Sequence, residues 1–332
     1  MSKLKKKVLV TRKLPDDAMK LLYETCEVEL NPYDRVMTED ELIQGLSDKQ
    51  GLLCLLTDTI NSAIMDAGKD LKVISNYAVG FNNIDVKAAT ERRILVTNTP
   101  GVLTETTADL AWALLMATAR RIVEADGFMR RGDYKGWSPM LFLGGDVFGK
   151  TLGLIGMGRI GCAMARRALG FNMRVLYYDV NRLSLDEEKA LSAEYADFDV
   201  VLRESDFVSL HVPLVPSTRH LIGARELSLM KATSYLINTS RGPVVDEKAL
   251  VEALRSRRIA GAGLDVYENE PEMAPGLAKL ENAVLLPHIA SASVDTRTKM
   301  GAMAARNLIA GLAGKLPPNC VNPEVCGKPE YS

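Results

Sequence analysis

One segment restricts this chain more than any other. Gly156-Met157-Gly158-Arg159-Ile160-Gly161 is a G-x-G-x-x-G pattern. It directly follows the apolar run Thr151–Ile155 and runs into a helical pattern over residues 160–169. A second strand pattern, Arg174–Tyr178, ends at Asp179, roughly 20 residues on. In such a strand–turn–helix the first glycine permits the tight turn, and the second lets the backbone approach a pyrophosphate at the helix N-terminus. The third lets helix and strand pack closely. Arg159 and Ile160 open the helix beneath that phosphate, and Asp179 is placed to accept hydrogen bonds from ribose hydroxyls. A plain glycine-rich turn that binds nothing is the alternative reading.

Around this motif the chain alternates strand and helix patterns, which reads as parallel sheets with crossover helices. The front third offers strands at residues 7–11, 51–56, 71–77 and 94–98, with helices at 15–26 and 84–92. Residues 104–131, after Pro100-Gly101, read as one long helix with Thr104 as its N-cap, carrying the chain into the next domain. Beyond the motif, strands are expected at 207–212, 234–238, 263–266 and 283–286, a helix at 291–311 and a Pro/Asn-rich tail at 315–332. Some 150 residues precede the fingerprint, so one domain is expected to be inserted into another. The expected architecture is α/β, with two Rossmann-like doubly wound parallel-sheet domains. A substrate domain spans 1–101 plus 289–332, and a nucleotide domain spans 102–288.

Composition narrows the function classes. Forty-one Lys+Arg balance 42 Asp+Glu for a net charge of −1, which argues against a chain built to coat nucleic acid or anionic membrane. No apolar run reaches bilayer length. The basic start, residues 1–7, leads straight into a strand pattern and is too short for a signal peptide. Five scattered cysteines fit a reducing cytoplasm better than a disulfide scaffold, and Cys320 and Cys326 lack a nearby histidine for a metal site; no metal is read anywhere.

Three polar residues stand at the ends of expected strands: Arg241 after Ile237-Asn238-Thr239-Ser240, Glu270 before Pro271, and His288 after Leu285-Leu286-Pro287. Ligands of open parallel sheets bind outside the carboxyl ends of the strands. An arginine offers a fork for a carboxylate, and a histidine exchanges protons near neutral pH. A carboxylate beside that histidine orients it and favours its charged form. The bland alternatives are a capping arginine, a solvated glutamate and a structural histidine. His211 is the rival base, and His220 reads as part of a surface turn.

These residues carry a resemblance. The chain resembles the D-isomer-specific 2-hydroxyacid dehydrogenase family, and most closely its glyoxylate/hydroxypyruvate reductase branch. The likeness runs from Lys7 to about Val325 and rests on residues 149–161, 236–247, 263–271 and 287–293. It implies that Arg241 binds substrate, Glu270 assists the histidine and His288 donates or accepts the proton. It further implies that Asp265 and the backbone of Thr239, Ser240 and Arg241 meet the nicotinamide end of the cofactor, close to His288. Residues 76–85 (Asn-Tyr-Ala-Val-Gly-Phe-Asn-Asn-Ile-Asp) resemble the front-domain loop whose N–H groups, at Val79 and Gly80, receive the substrate carboxylate. A plain strand-to-helix turn would also use that glycine.

The resemblance implies a small 2-oxo or 2-hydroxy acid as partner and a homodimer; Asp179 makes NAD(H) the expected preferred cofactor, with NADP(H) also admissible. Asp179 should repel a 2′-phosphate, with Arg182 near enough to soften this. Trp137 resembles a family tryptophan that reaches a neighbouring subunit's site, although packing in a dimer surface would serve it equally. Residues 104–145 are candidates for that surface. D-3-phosphoglycerate and 2-ketogluconate types are alternatives, as is a non-catalytic NADH-sensing relative of the corepressors. The serine-biosynthesis branch is disfavoured because many of its members carry extra C-terminal domains. Val79 stands where the phosphite branch has lysine, and Glu270 where the formate branch has glutamine.

Overall fold

A computed structural model of the chain describes residues 5–326; the beginning of the basic start and the end of the expected tail lie outside them. The chain divides into two compact units. One comprises the chain up to Leu103 together with the chain from Ala292 onward, and the other is Thr104–Ser291.

The first unit holds strands β1 (Lys6–Val10), β2 (Cys26–Leu30), β3 (Gly51–Cys54), β4 (Val73–Asn76) and β5 (Leu95–Thr97). They form one all-parallel sheet in the order β2-β1-β3-β4-β5. Helices α1 (Asp16–Thr25), α2 (Glu39–Leu46), α3 (Ser62–Ala67) and α4 (Val86–Glu91) connect the strands. Every residue of β3, β4 and β5 is buried, as expected of strands covered on both faces. Two cores flank the sheet: Val8, Leu22 and Leu53 belong to one, and Leu9, Leu52 and Ile74 to the other. The sequence reading missed β2, because Glu27 and Glu29 alternate with apolar residues along an edge strand. It also missed α2 and α3, which are short and hold only two buried residues each.

The second unit opens with α5 (Thr104–Ala119) and α6 (Ile122–Arg130). The single helix expected over 104–131 is therefore broken, and Thr104 is the first residue of α5. Arg121 takes a left-handed backbone (φ 52°), and the Ala119 carbonyl accepts a hydrogen bond from the Gly145 N–H at 2.9 Å. A Cβ on Gly144 would overlap that same carbonyl, so a distant glycine pair ends the helix. Strands β6 (Thr151–Ile155), β7 (Arg174–Tyr178), β8 (Ala193–Tyr195), β9 (Phe207–Leu210), β10 (Tyr235–Asn238), β11 (Gly261–Leu264) and β12 (Ala283–Leu285) follow. Helices α7 (Arg159–Leu169), α8 (Leu185–Leu191), α9 (Phe198–Glu204), α10 (Ala224–Leu229) and α11 (Glu247–Arg255) lie among them. The sheet is all parallel in the order β12-β11-β10-β9-β6-β7-β8, so its strand order reverses between β6 and β9. β11 lies two residues earlier than expected, which places Asp265 just past the strand rather than within it. A Cβ at Gly263 would sit 2.9 Å from Thr118 Oγ1 and 3.2 Å from Leu114 Cβ; this strand is glycine-rich because α5 packs directly on it.

The return helix, α12 (Val294–Leu312), begins after Ser293, whose side chain accepts from the Thr296 N–H. It packs on α1 in the first unit, where a Cβ on Gly301 would come within 2.8 Å of the Ala18 Cβ, so glycine lets the helices close. After α12 the tail is pinned to the sheet edge by Asn322, which is 1% exposed. Its Oδ1 accepts from the Val96 N–H at 2.8 Å, and its Nδ2 donates to the Ile94 carbonyl at 2.9 Å and to Thr90 Oγ1 at 3.0 Å. Asn322→Ala leaves the buried Val96 N–H and Ile94 carbonyl without this partner, and should lower stability by about 2–3 kcal/mol. A urea midpoint equal to the wild type's would contradict this anchoring role.

Candidate active site

The turn after β6 stands where the strand order of the second unit's sheet reverses. Gly156 has φ +95°, and a Cβ there would lie 2.7 Å from the His211 carbonyl carbon and oxygen, just past β9. A Cβ at Gly161 would overlap the Gly156 carbonyl oxygen, whereas one at Gly158 would meet nothing within 4 Å. The first and third glycines are thus required by the protein's own packing. The second leaves room for a ligand's close approach to the backbone, which suits a dinucleotide pyrophosphate. Asp179 caps the turn: its carboxylate accepts from the Met157 N–H at 2.7 Å and the Asn181 N–H at 2.8 Å. Each oxygen keeps a further lone pair for a ribose hydroxyl. Arg182 is engaged elsewhere. It forks onto Glu188 at 2.8 and 3.0 Å and lies 5.1 Å over the Tyr195 ring. The hydrogen bonds from Arg182 and then from the Tyr177 hydroxyl hold the Glu188 carboxyl down at about 2.

The polar cluster is built on the ends of β10, β11 and β12. Asn238, fully buried at the end of β10, shapes the next turn. Its Nδ2 donates to the Arg241 carbonyl at 3.0 Å, and its Oδ1 accepts from the Ser240 N–H at 3.0 Å and hydroxyl at 2.8 Å. The Thr239 hydroxyl is buried and has no hydrogen-bond partner among the described residues, so a donor or acceptor on a cofactor would satisfy it. Gly242 brings the Arg241 turn against the segment after β11. A Cβ there would overlap the Tyr267 carbonyl, so no side chain fits.

Glu270 and His288 meet directly. The Nδ1 of His288 is 2.8 Å from Glu270 Oε2, while Glu270 Oε1 accepts from the Tyr267 N–H at 3.1 Å. The Tyr267 hydroxyl donates to the Leu286 carbonyl at 2.8 Å, tying the glutamate's segment to the histidine's. Asp265, fully buried, accepts from the Ile289 and Ala290 N–H groups, each at 2.7 Å. Those bonds secure the peptides after His288, whose own backbone is left-handed (φ 56°). Glu247 braces the loop from behind, accepting from the Glu268 and Ala274 N–H groups at 2.8 Å each.

The electrostatics separate the groups. Burial, the largest influence on Glu270, pushes its carboxyl up. The hydrogen bond and charge of His288, the Tyr267 N–H and the Arg241 charge together outweigh it, and the net shift is downward. Burial lowers the Arg241 guanidinium from its ordinary value, opposed by the Glu270 carboxylate. Burial also raises Asp265, against the two N–H bonds. His211 is different. Desolvation drives its pKa down to about 3, and its Nε2 lies 2.9 Å from Ser209 Oγ. Desolvation thus favours its neutral form, and among the described residues it has no carboxylate partner. His220 lies on an exposed turn, 2.6 Å from Glu268.

Arg241, Glu270, His288 and Asp265 are therefore gathered at one sheet end. Trp137 is not among them: it is 81% exposed on the segment after α6. Val79 and Gly80, in the first unit, are both half-buried just past β4, and their N–H groups donate to nothing among the described residues. The sequence reading overlooked Asn238, Gly242, Glu247 and Tyr267 as site-building residues. All four lay inside quoted motifs, but their roles depend on contacts between strands far apart in the chain. Among the described residues no cluster of His, Cys, Asp and Glu could hold a metal ion, and no helix is long and apolar enough to cross a membrane.

Known proteins share this chain's sequence and fold. Residues 112–290 match the family described as D-isomer specific 2-hydroxyacid dehydrogenase, NAD binding domain. The chain is 54% identical over 325 residues to a glyoxylate reductase of Korarchaeum cryptofilum, covering 97% of each chain. A crystal structure of a Thermus thermophilus protein is similar at TM-score 0.88 and 46% identity, with 95% of this chain and 99% of that one covered. An NADPH-dependent glyoxylate/hydroxypyruvate reductase of Sinorhizobium meliloti, solved with NADP and malonate, is similar at TM-score 0.85 and 34% identity, covering 96% and 97%.

The balance at Glu270 has a testable sign. Its folded pKa lies below the ordinary value, so its ionisation stabilises the fold above the unfolded pKa and is lost as pH falls through the folded one. His288→Ala removes the chief lowering influences and leaves burial in place, so the Glu270 pKa should rise. Infrared titration of the carboxyl stretch, with Glu270→Gln as the blank, reads this. A Glu270 pKa that stayed put or fell would refute the coupling.

Proposed function

This chain belongs to the D-isomer specific 2-hydroxyacid dehydrogenase family, and we propose that it is a nicotinamide-dependent reductase of small 2-oxo acids. Glyoxylate, giving glycolate, and hydroxypyruvate, giving D-glycerate, are the substrates we favour. The Glu270–His288 pair, at 2.8 Å, carries the reading. The nicotinamide, when bound, supplies hydride to the 2-oxo carbon. Because Nδ1 of His288 is committed to Glu270, its Nε2 is the atom that hands a proton to the carbonyl oxygen as negative charge develops there. In the reverse direction the same nitrogen accepts it. Glu270 stays ionised and orients the imidazole through Nδ1. The Arg241 fork receives the substrate carboxylate, and Lys in its place would lose the bidentate geometry. In the first unit the N–H groups of Val79 and Gly80 suit the same kind of anion.

Thr239, Ser240, Asp265 and the glycine turn form the cofactor site in this reading. NADH is preferred over NADPH, because Asp179 sits at the turn and Arg182 is already forked onto Glu188. The enzyme works in the cytoplasm, in keeping with five free thiols. The protein acts as a homodimer. No residue of α6 is buried, and Ile122, Val123, Met129, Trp137, Met140 and Phe148 are exposed on or just beyond it. Trp137 would then face the partner subunit and limit the far end of the substrate.

One kinetic panel tests the reaction: kcat/KM for glyoxylate, hydroxypyruvate, pyruvate and phenylpyruvate with each cofactor, and chiral analysis of the glycerate. We expect NADH and the two small substrates to lead. His288→Ala should cut kcat by at least ~100-fold while His211→Ala does not. In Glu270→Gln the loss of the negative charge should confine reduction to lower pH. Preference for phenylpyruvate or NADPH, L-glycerate as product, or inactivity of His211→Ala alone would each overturn the corresponding assignment. For the assembly, sedimentation equilibrium should return the mass of two chains, and a monomer at micromolar concentration would exclude the dimer.

A further inference from the structure

We propose that Asn98 is a positioning residue for the substrate carboxylate: through the Val79 carbonyl it aims the Gly80 N–H. This rests on the 2-oxo acid reading above. Asn98 is the residue after β5, and its Nδ2 donates to the Val79 carbonyl oxygen at 2.7 Å. In a trans peptide the carbonyl and the following N–H point in opposite directions within one plane. Holding the Val79 oxygen therefore fixes the direction of the Gly80 N–H. The neighbouring peptides are held in the same way. The Thr99 N–H donates to the Ala78 carbonyl at 2.8 Å, which fixes the Val79 N–H, and Asn76 Nδ2 donates to the Gly80 carbonyl at 2.9 Å. Three successive carbonyls are thus occupied by the protein, while the N–H groups of Val79 and Gly80 have no partner among the described residues.

Asn98 is itself anchored on both sides. Its N–H donates to the Asn319 carbonyl at 3.2 Å. Its carbonyl accepts at 3.0 Å from Nδ2 of Asn307, a residue of α12 that is 1% exposed. The return helix and the tail thereby brace a loop more than 200 residues away in sequence. The loop meets a carboxylate with its donors already aimed, so little ordering remains to be done on binding.

A carboxylate anchor acts alike on bound substrate and transition state, so its loss raises KM and leaves kcat nearly unchanged. In Asn98→Ala, and in Asn98→Leu, which retains the volume without the donor, we expect KM for glyoxylate to rise at least about 10-fold, the worth of one charge-assisted hydrogen bond. The Kd of oxamate for the NADH complex should rise in parallel. NADH affinity and the thermal midpoint should hold, and a merely structural role would move those instead. Unchanged oxamate affinity in both variants, or a fall in kcat at constant KM, would overturn the inference. Should the wild type reduce no 2-oxo acid, the functional reading fails separately; the inference is then judged by oxamate binding alone, and a wild type that binds no oxamate overturns it.

Discussion

The candidate site depends on the buried carboxylate of Asp265. A charge withdrawn from water must be met by hydrogen bonds, and Asp265 meets its own with the Ile289 and Ala290 N–H groups at 2.7 Å. The backbone at His288 is left-handed, a conformation a histidine tolerates only at some cost. With the following peptides fixed on Asp265, the imidazole projects toward Glu270. The Tyr267 N–H holds Glu270, and the Tyr267 hydroxyl holds the Leu286 carbonyl. Asp265 and Tyr267 both follow β11, so one short segment grips the histidine from both ends. Such closed bracing limits the drift of the Glu270–His288 pair.

The same unit uses backbone contact twice to bring strand ends together. After β6, Gly156 presses on the His211 carbonyl, and after β10, Gly242 presses on the Tyr267 carbonyl. At Gly156 both the positive φ and the contact demand glycine. At Gly242 the contact alone does, because the carbonyl occupies the space a methyl group would need. Both contacts lie at carboxyl ends of parallel strands, and the first is at the point where strand order reverses. An open α/β sheet offers its crevice there.

Three histidines with one intrinsic chemistry are given three different roles by their surroundings. His288 keeps partial exposure and a carboxylate at 2.8 Å, which suits the proton donor proposed above. His211 is desolvated beside Ser209 and held neutral. His220 pairs with Glu268 at an exposed turn. Placement in the chain cannot separate the first two, since both follow a parallel strand. Desolvation and the neighbouring carboxylate do.

Much of this was legible in the sequence. The glycine fingerprint between an apolar strand and a helix, and Asp179 beyond the next strand, mark a nucleotide turn because they are local: each glycine's role is set within a few residues. The parallel sheets were legible for the same reason, through buried apolar runs separated by helical periodicity. Other features depended on residues far apart in sequence, and only the tertiary structure decided them. The break between α5 and α6 comes from Gly144 and Gly145 closing on Ala119. The edge strand β2 pairs with β1, although its alternating glutamates carry little apolar signal. Gly263 is explained by α5, and Asn98 by a loop after β4 and a helix near the other end of the chain. Local patterns record what a residue can do with its neighbours along the chain; which carbonyl or carboxylate it meets across the fold depends on how the strands stack.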